Sequence, residues 1–201
     1  MKTILVTTIM AAGLAAAFAA PSLGQEGLDL IEGPTTFDID PAHTTILLSW
    51  DHNGLSTSFA AIREFEGTLT LDPANLEASE LSVTMQVDSL DTFWQARTDD
   101  LVSENFFNVA EFPTATFEST EIVLTGDTTA DVTGDFTLLG VTTPLTLQVE
   151  FNSVTQQENR LLVGFDAEAA IQRADYGVTR FAPAVGGEVT IRVSSELAAT
   201  I

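Results

Sequence analysis

The chain has 201 residues, with 29 acids against 7 Lys and Arg, a formal net charge of −22, and no Cys. That length implies one domain, and that charge excludes a nucleic-acid partner and docking on anionic lipid headgroups, because both would be repelled. Without Cys there is no disulfide framework and no thiol chemistry, so the fold rests on its core alone.

The first two dozen residues stand apart. Lys2 supplies a positive start, Ile4–Ala20 is an apolar or small run, and small residues offer cleavage points after Ala19 or after Gly24. This is the pattern of a secretory signal peptide over residues 1–24. It implies export of the rest of the chain to the periplasm, with no stable membrane insertion after cleavage. Lys2 is the sole Lys, so the mature chain has six Arg against its 29 acids. Residues 25–35 read as a flexible leader and 36–201 as the folded domain.

From Phe37 onward apolar residues recur with period two among abundant Thr and Val, the pattern of half-buried strands. Phe37 and Ile39 share a face, and Pro41 breaks the run. Ile46, Leu48 and Trp50 share the next face, followed by the tight-turn dipeptide Asn53–Gly54. Leu55–Leu71 reads as a long strand with a bend or bulge at Ala60–Ile62, where the alternation fails. Leu81, Val83, Met85 and Val87 line the next strand.

Asp88–Phe117 is the least strand-like stretch. Ser89 or Asp91 is suited to cap a helix and Asp99 or Asp100 a second short one, each by accepting an unpaired first-turn N–H. Phe106–Phe107 and Pro113 close the stretch. Its aromatics are expected to cover one barrel end, with Trp94 and at least one of Phe106 and Phe107 mostly buried. Strands then resume at Thr114–Thr125, Val132–Leu138, Leu145–Phe151, Leu161–Ile171 and Val189–Val193, with Ala174–Gly187 as a loop.

About eight strands with hairpin-length links fit an antiparallel barrel, since closure removes exposed edges, and a sandwich is the alternative. The inner faces include Gly67, Gly134, Ala167 and Ala169, small residues that leave room inside. Three polar residues keep the parity of the apolar faces: His52, Arg63 and Arg173. At the rim of an apolar cavity such cations suit a phosphate or carboxylate headgroup; paired with surface acids they are structural. No catalytic group is assigned. There are only two His, no Gly-x-Ser-x-Gly and no Gly-rich phosphate loop, and His43 and His52 differ in strand parity, so no metal site is expected.

Several motifs together resemble the YceI-like family. Asp40-Pro41-Ala42-His43-Thr44 is similar to its D-x-x-H-S opening, and His52-Asn53-Gly54 to its internal histidine. Glu66–Leu69, Asp88–Thr92, Arg97–Leu101, Asn105–Val109 and Phe112–Phe117 follow in the family's order. So do Gly134–Thr142 and Arg173-Ala174-Asp175-Tyr176-Gly177. The resemblance implies an all-β fold, an extended eight-stranded antiparallel lipocalin-like barrel with one short helical insertion. It also implies an elongated apolar cavity holding a long isoprenoid or similar amphiphilic lipid, in a periplasmic protein. On that footing the expected lipid-binding residues are Trp50, Phe59, Phe65, Trp94, Phe106, Phe107, Phe117 and Phe136 along the chain. His52, Arg63, Arg97 and Arg173 would contact the headgroup. No cofactor is implied beyond the lipid. A dry structural or stress-protective barrel and an enzyme on a hydrophobic substrate are the rival readings, and both monomer and homodimer remain open.

Overall fold

The computed structural model describes residues 27–201, so the expected signal peptide over 1–24 lies outside the described residues. Alternation of apolar with Thr, Ser and acidic side chains, one face to bury and one to wet, produces eleven strands. They are β1 Thr35–Ile39, β2 Thr45–His52, β3 Ser56–Ile62, β4 Phe65–Leu71, β5 Glu80–Gln86 and β6 Leu90–Asp91. After the helix α1, Gln95–Val102, come β7 Thr114–Leu124, β8 Thr129–Leu138, β9 Val141–Gln157, β10 Arg160–Gln172 and β11 Glu188–Thr200.

These eleven strands form eight staves of a closed barrel. β1 and β2 both pair with β11, one at Asp38–Ala198 and the other from Thr45–Ser194 to Ser49–Thr190, so they are one stave broken at 40–44. β3 lies on β2 and β4 on β1, a second stave broken at 63–64. β5 lies on β4 and β6 on β3, a third stave interrupted at 87–89. β7, β8, β9, β10 and β11 complete the round, all antiparallel. The eight-stranded antiparallel barrel with one helical insertion is therefore the architecture, and the sandwich is not.

The breaks sit where the inward parity changes. Ile39 faces in, then Ile46, Leu48 and Trp50; Ala60 and Ile62 face in, then Leu69 and Leu71; Met85 and Val87 face in, then Leu90. The bend expected at Ala60–Ile62 falls just beyond it, at Arg63–Glu64. β7 makes the same change with a bulge between Ser119 and Glu121, from Phe117 inward to Ile122 inward.

One barrel end is filled. Phe37, fully buried, packs with Leu161, Val163, Leu197 and Ile31. Ile31 is 3% exposed, so the stretch expected to be a flexible leader is packed against the barrel from Gly27 onward. Gly27 has φ +95°, and a Cβ there would lie 2.5 Å from the Val154 carbonyl oxygen, which explains a glycine at this close approach. Gly134 does not add room inside, contrary to expectation: a Cβ there would meet the Phe117 ring at 2.5 Å, so the ring occupies that space.

The connection at the other end contains one helix rather than two. Asp99 and Asp100 lie inside α1, and turns follow it, with Phe106 N–H donating to the Ser103 carbonyl and Glu111 N–H to that of Asn108. Neither Ser89 nor Asp91 caps α1. Ser89 Oγ accepts the N–H groups of Arg63 at 3.1 Å and Glu64 at 2.9 Å, and so bridges two adjacent stave breaks. Asp91 Oδ1 accepts the Phe93 N–H at 2.8 Å.

Candidate functional site

A cavity of about 1140 Å3 runs inside the barrel. Leu28, Leu76, Phe151 and Phe165 line it toward the leader, and Trp50, Trp94, Phe106 and Phe107 toward the helical connection. Between them the inward positions of the staves are aliphatic, with Ile46, Val83, Val132, Leu145, Leu147 and Ile191 among them. A strand whose alternate residues are Val, Leu and Ile builds such a wall because successive side chains point to opposite faces. The polar side chains at the connection end include His52, Ser58, Arg97, Asp100, Arg173 and Arg180. Asp127, Thr128 and Thr129 border the opposite end beside Phe151, but the arginines of the lining all lie at the connection end, and an apolar length with cations at one end suits an amphiphile.

Nine of the twelve residues expected to touch a ligand line this cavity: Trp50, His52, Trp94, Arg97, Phe106, Phe107, Phe117, Phe136 and Arg173. Three do not. Phe59 is 40% exposed because β3 turns its even-numbered residues, Ser58 and Ala60, inward. Arg63 stands at a stave break, so its parity with Leu69 and Leu71 carries no meaning; it is exposed, donates to Asp91 Oδ2 at 2.8 Å, and lies 5.6 Å over the Phe93 ring. Phe65, just past the same break, opposes Met85 and packs against the cluster of Ile46, Ala60, Ile62 and Leu90 without lining the cavity.

The burial expected of the connection's aromatics also needs correction. Trp94 borders the cavity but is 65% exposed. Its position immediately before α1, in extended backbone, puts the indole on the rim. Phe106 and Phe107 are half-buried, and Phe107 packs against two core clusters, so the connection is docked on the barrel end.

Arg97 is held from three sides. Its Nη2 donates to the Thr92 carbonyl at 2.7 Å, its Nη1 to Ser58 Oγ at 3.4 Å, and its guanidinium lies 6.0 Å from the Trp50 ring centroid. Thr92 is itself fully buried and bonded through Oγ1 to Trp94 and Thr98. Arg173 is 9% exposed and clamps the loop between β10 and β11. Its Nε donates to the Gly186 carbonyl at 2.9 Å, Nη1 to that of Arg180 at 2.8 Å and Nη2 to that of Val185 at 3.0 Å. Burial pulls its pKa below the ordinary arginine value, yet a guanidinium stays charged.

Sequence reasoning missed Arg180, Phe181 and Val185, which also line the cavity. They lie in what reads as a plain loop. The available signal was the Arg–Phe dipeptide, a cation next to a large apolar side chain. Arg180 lies 5.6 Å over the Phe106 ring and 5.2 Å over the Phe181 ring, and those two rings are 6.0 Å apart.

A model of the YceI-like domain matches residues 37–197. The chain belongs to the YceI-like family. Protein YceI of Salmonella arizonae is 34% identical over 160 residues, 79% of this chain and 83% of that protein. A UPF0312 protein of Ectopseudomonas mendocina is 35% identical over 139 residues, 69% of this chain and 73% of its own length. The crystal structure of BcnA from Burkholderia cenocepacia superposes with a TM-score of 0.70 at 25% identity, covering 81% of this chain and 99% of that one. A polyisoprenoid binding domain from Saccharophagus degradans shares the fold, with a TM-score of 0.63 at 15% identity, covering 83% of this chain and 99% of that one.

In this YceI-like chain the opening D-x-x-H motif is a turn. Asp40 accepts the Ala42 N–H at 2.9 Å and meets His43 Nδ1 at 3.0 Å. That contact lowers the Asp40 pKa and raises that of His43. His43 is exposed and outside the cavity lining, so the motif shapes the β1–β2 break rather than the cavity.

Proposed function

We propose that this chain is a periplasmic carrier that holds a long isoprenoid, or a similar amphiphilic lipid, in the barrel cavity. The observation that carries the reading is one continuous cavity of about 1140 Å3 with aliphatic and aromatic walls and its arginines at one end. Burying a hydrocarbon chain there contributes about 0.8 kcal/mol per CH2, so each additional five-carbon unit adds roughly 4 kcal/mol of gross transfer free energy. The relative from Saccharophagus degradans described as a polyisoprenoid binding domain supports the ligand class through a shared fold. A charge of −22 suits a protein that sheds its cargo at a bilayer without adhering to anionic headgroups.

Binding rather than catalysis suits the geometry. The His43–Asp40 imidazole–carboxylate contact lies outside the cavity, and among the described residues no three His, Asp or Glu side chains are placed to hold a metal ion. Native mass spectrometry and lipid extraction of protein purified from the periplasm test the proposal. A co-purifying species with a long hydrocarbon chain, at about one per barrel, is the expected result. Protein that carries none, and takes up none when offered polyprenols, refutes it.

A further inference from the structure

We infer that the connection end of the cavity is an anion site, which selects a lipid with an acid headgroup, a phosphate monoester or a carboxylate. The inference rests on the lipid-carrier reading above and concerns only the headgroup.

Three of the chain's six arginines line the cavity. Arg63 and Arg192, neither of them in the cavity wall, are paired with Asp91 at 2.8 Å and Glu168 at 2.7 Å. Arg97, Arg173 and Arg180 line the cavity, and none has a carboxylate within ion-pairing distance among the described residues. Arg160, outside the cavity wall, is also without such a partner, so what sets these three apart is their convergence on one cavity end. Asp100, exposed on α1, also borders the cavity and pairs with none of them.

Arg97 supplies a vacant donor. Its Nε is buried and has no hydrogen-bond acceptor among the described residues. A buried N–H without an acceptor is costly and leaves the guanidinium short of acceptors, and an anion drawn up to this cavity-lining side chain would offset that by charge-assisted bonding. Thr92, Ser58 and the Trp50 face already hold the guanidinium in place, so little ordering is left for the ligand to impose. Arg173 spends three bonds on backbone carbonyls, which orient it but leave its positive charge uncompensated. Arg180 is stacked across Phe106 and Phe181, which join the helical connection to the β10–β11 loop at the same end. Apolar walls beside these groups strengthen their attraction for an anion. The acidic surface repels free anions, so the site acts on an anion delivered by an apolar tail.

The test compares three probes on the purified protein: geranylgeranyl monophosphate, geranylgeraniol and inorganic phosphate. Both Trp residues of the chain, Trp50 and Trp94, border the site, so their fluorescence reports binding. The ester should bind at least about 10-fold tighter than the alcohol. Arg97→Gln and the exposed Arg180→Gln should each weaken binding of the ester more than that of the alcohol, and so shrink that ratio. Equal affinities, or a loss shared by ester and alcohol in both variants, overturn the headgroup inference and leave the carrier reading standing. Binding of neither lipid removes the carrier reading and this inference with it. Inorganic phosphate binding as tightly as the ester assigns the site to the free ion and overturns headgroup selection.

Discussion

Arg173→Met removes the clamp on the β10–β11 loop while keeping an unbranched apolar stem. Three bonds from a charged donor to the carbonyls of Gly186, Arg180 and Val185 are lost. Each such bond is worth about 1.5–3 kcal/mol, but the three do not add, because the loop can open and its carbonyls can take up water. The loop keeps other ties: Asn53 N–H to the Ala184 carbonyl at 2.8 Å, Gly186 N–H to that of Asp51 at 2.9 Å and Arg173 N–H to that of Gly187 at 2.9 Å. A net cost of about 3 kcal/mol follows, and at about 2–4 °C per kcal/mol the melting temperature falls by roughly 6–12 °C. Amide hydrogen exchange locates the loss. The amides of Asn53, Val185 and Gly186 should exchange about 100-fold faster in the variant, with those of β8 and β9 little changed. Equal exchange in variant and parent, or acceleration spread evenly over the barrel, would refute the clamp.

Further outcomes follow from the same geometry. The Arg63 guanidinium, and then the Phe93 N–H, hold the Asp91 pKa below its ordinary value of 3.8. The stabilisation is therefore present above about pH 4 and lost as pH falls through the lower folded pKa; melting of parent and Asp91→Asn should differ at neutral pH and converge in acid, less so in high salt. Phe117→Ala empties a 3%-exposed wall position and should cost about 3–5 kcal/mol in urea unfolding. Ala130→Trp narrows the cavity toward the leader, so competition between prenyl chains of different length should shift toward the shorter. Ser89→Ala leaves the amides of Arg63 and Glu64 to water in place of their shared acceptor and should cost about 0.5–1.5 kcal/mol by the same unfolding assay.

The barrel and most of its wall were legible because they depend on a period of two. Trp50, Phe117 and Phe136 fall where alternation puts them. What was not legible depends on chain that has no period. Nothing in residues 174–187 says that Arg180 and Phe181 reach over to Phe106, since that contact is made between segments about 75 residues apart. Arg173 was read as a headgroup contact or an ion-pair member. It lines the cavity, as a headgroup contact would, and makes no ion pair among the described residues; its donors turn back on carbonyls of the following loop, which no period signals. Trp94 was expected to be mostly buried, whereas its place ahead of α1 sets it on the rim.

The stave breaks explain why parity worked within strands and failed across them. A one-residue slip in a continuous strand turns every later side chain to the other face. Leu55–Leu71 read as one strand therefore cannot bury both Ala60–Ile62 and Leu69–Leu71, since their inward positions are even in one part and odd in the other. Arg63 and Glu64 absorb the slip, and both carry charge because both stand outside the ladder in water. The same change of parity occurs in the neighbouring staves at 40–44 and 87–89, opposite the break at 63–64. Three adjacent staves thus change register along one line across the sheet. Ser89 ties two of those breaks together through the amides that the ladder leaves unpaired. Such a line lets the sheet bend while both halves keep their apolar side chains inward, which a barrel needs if one cavity is to run past it from Leu28 to Trp94.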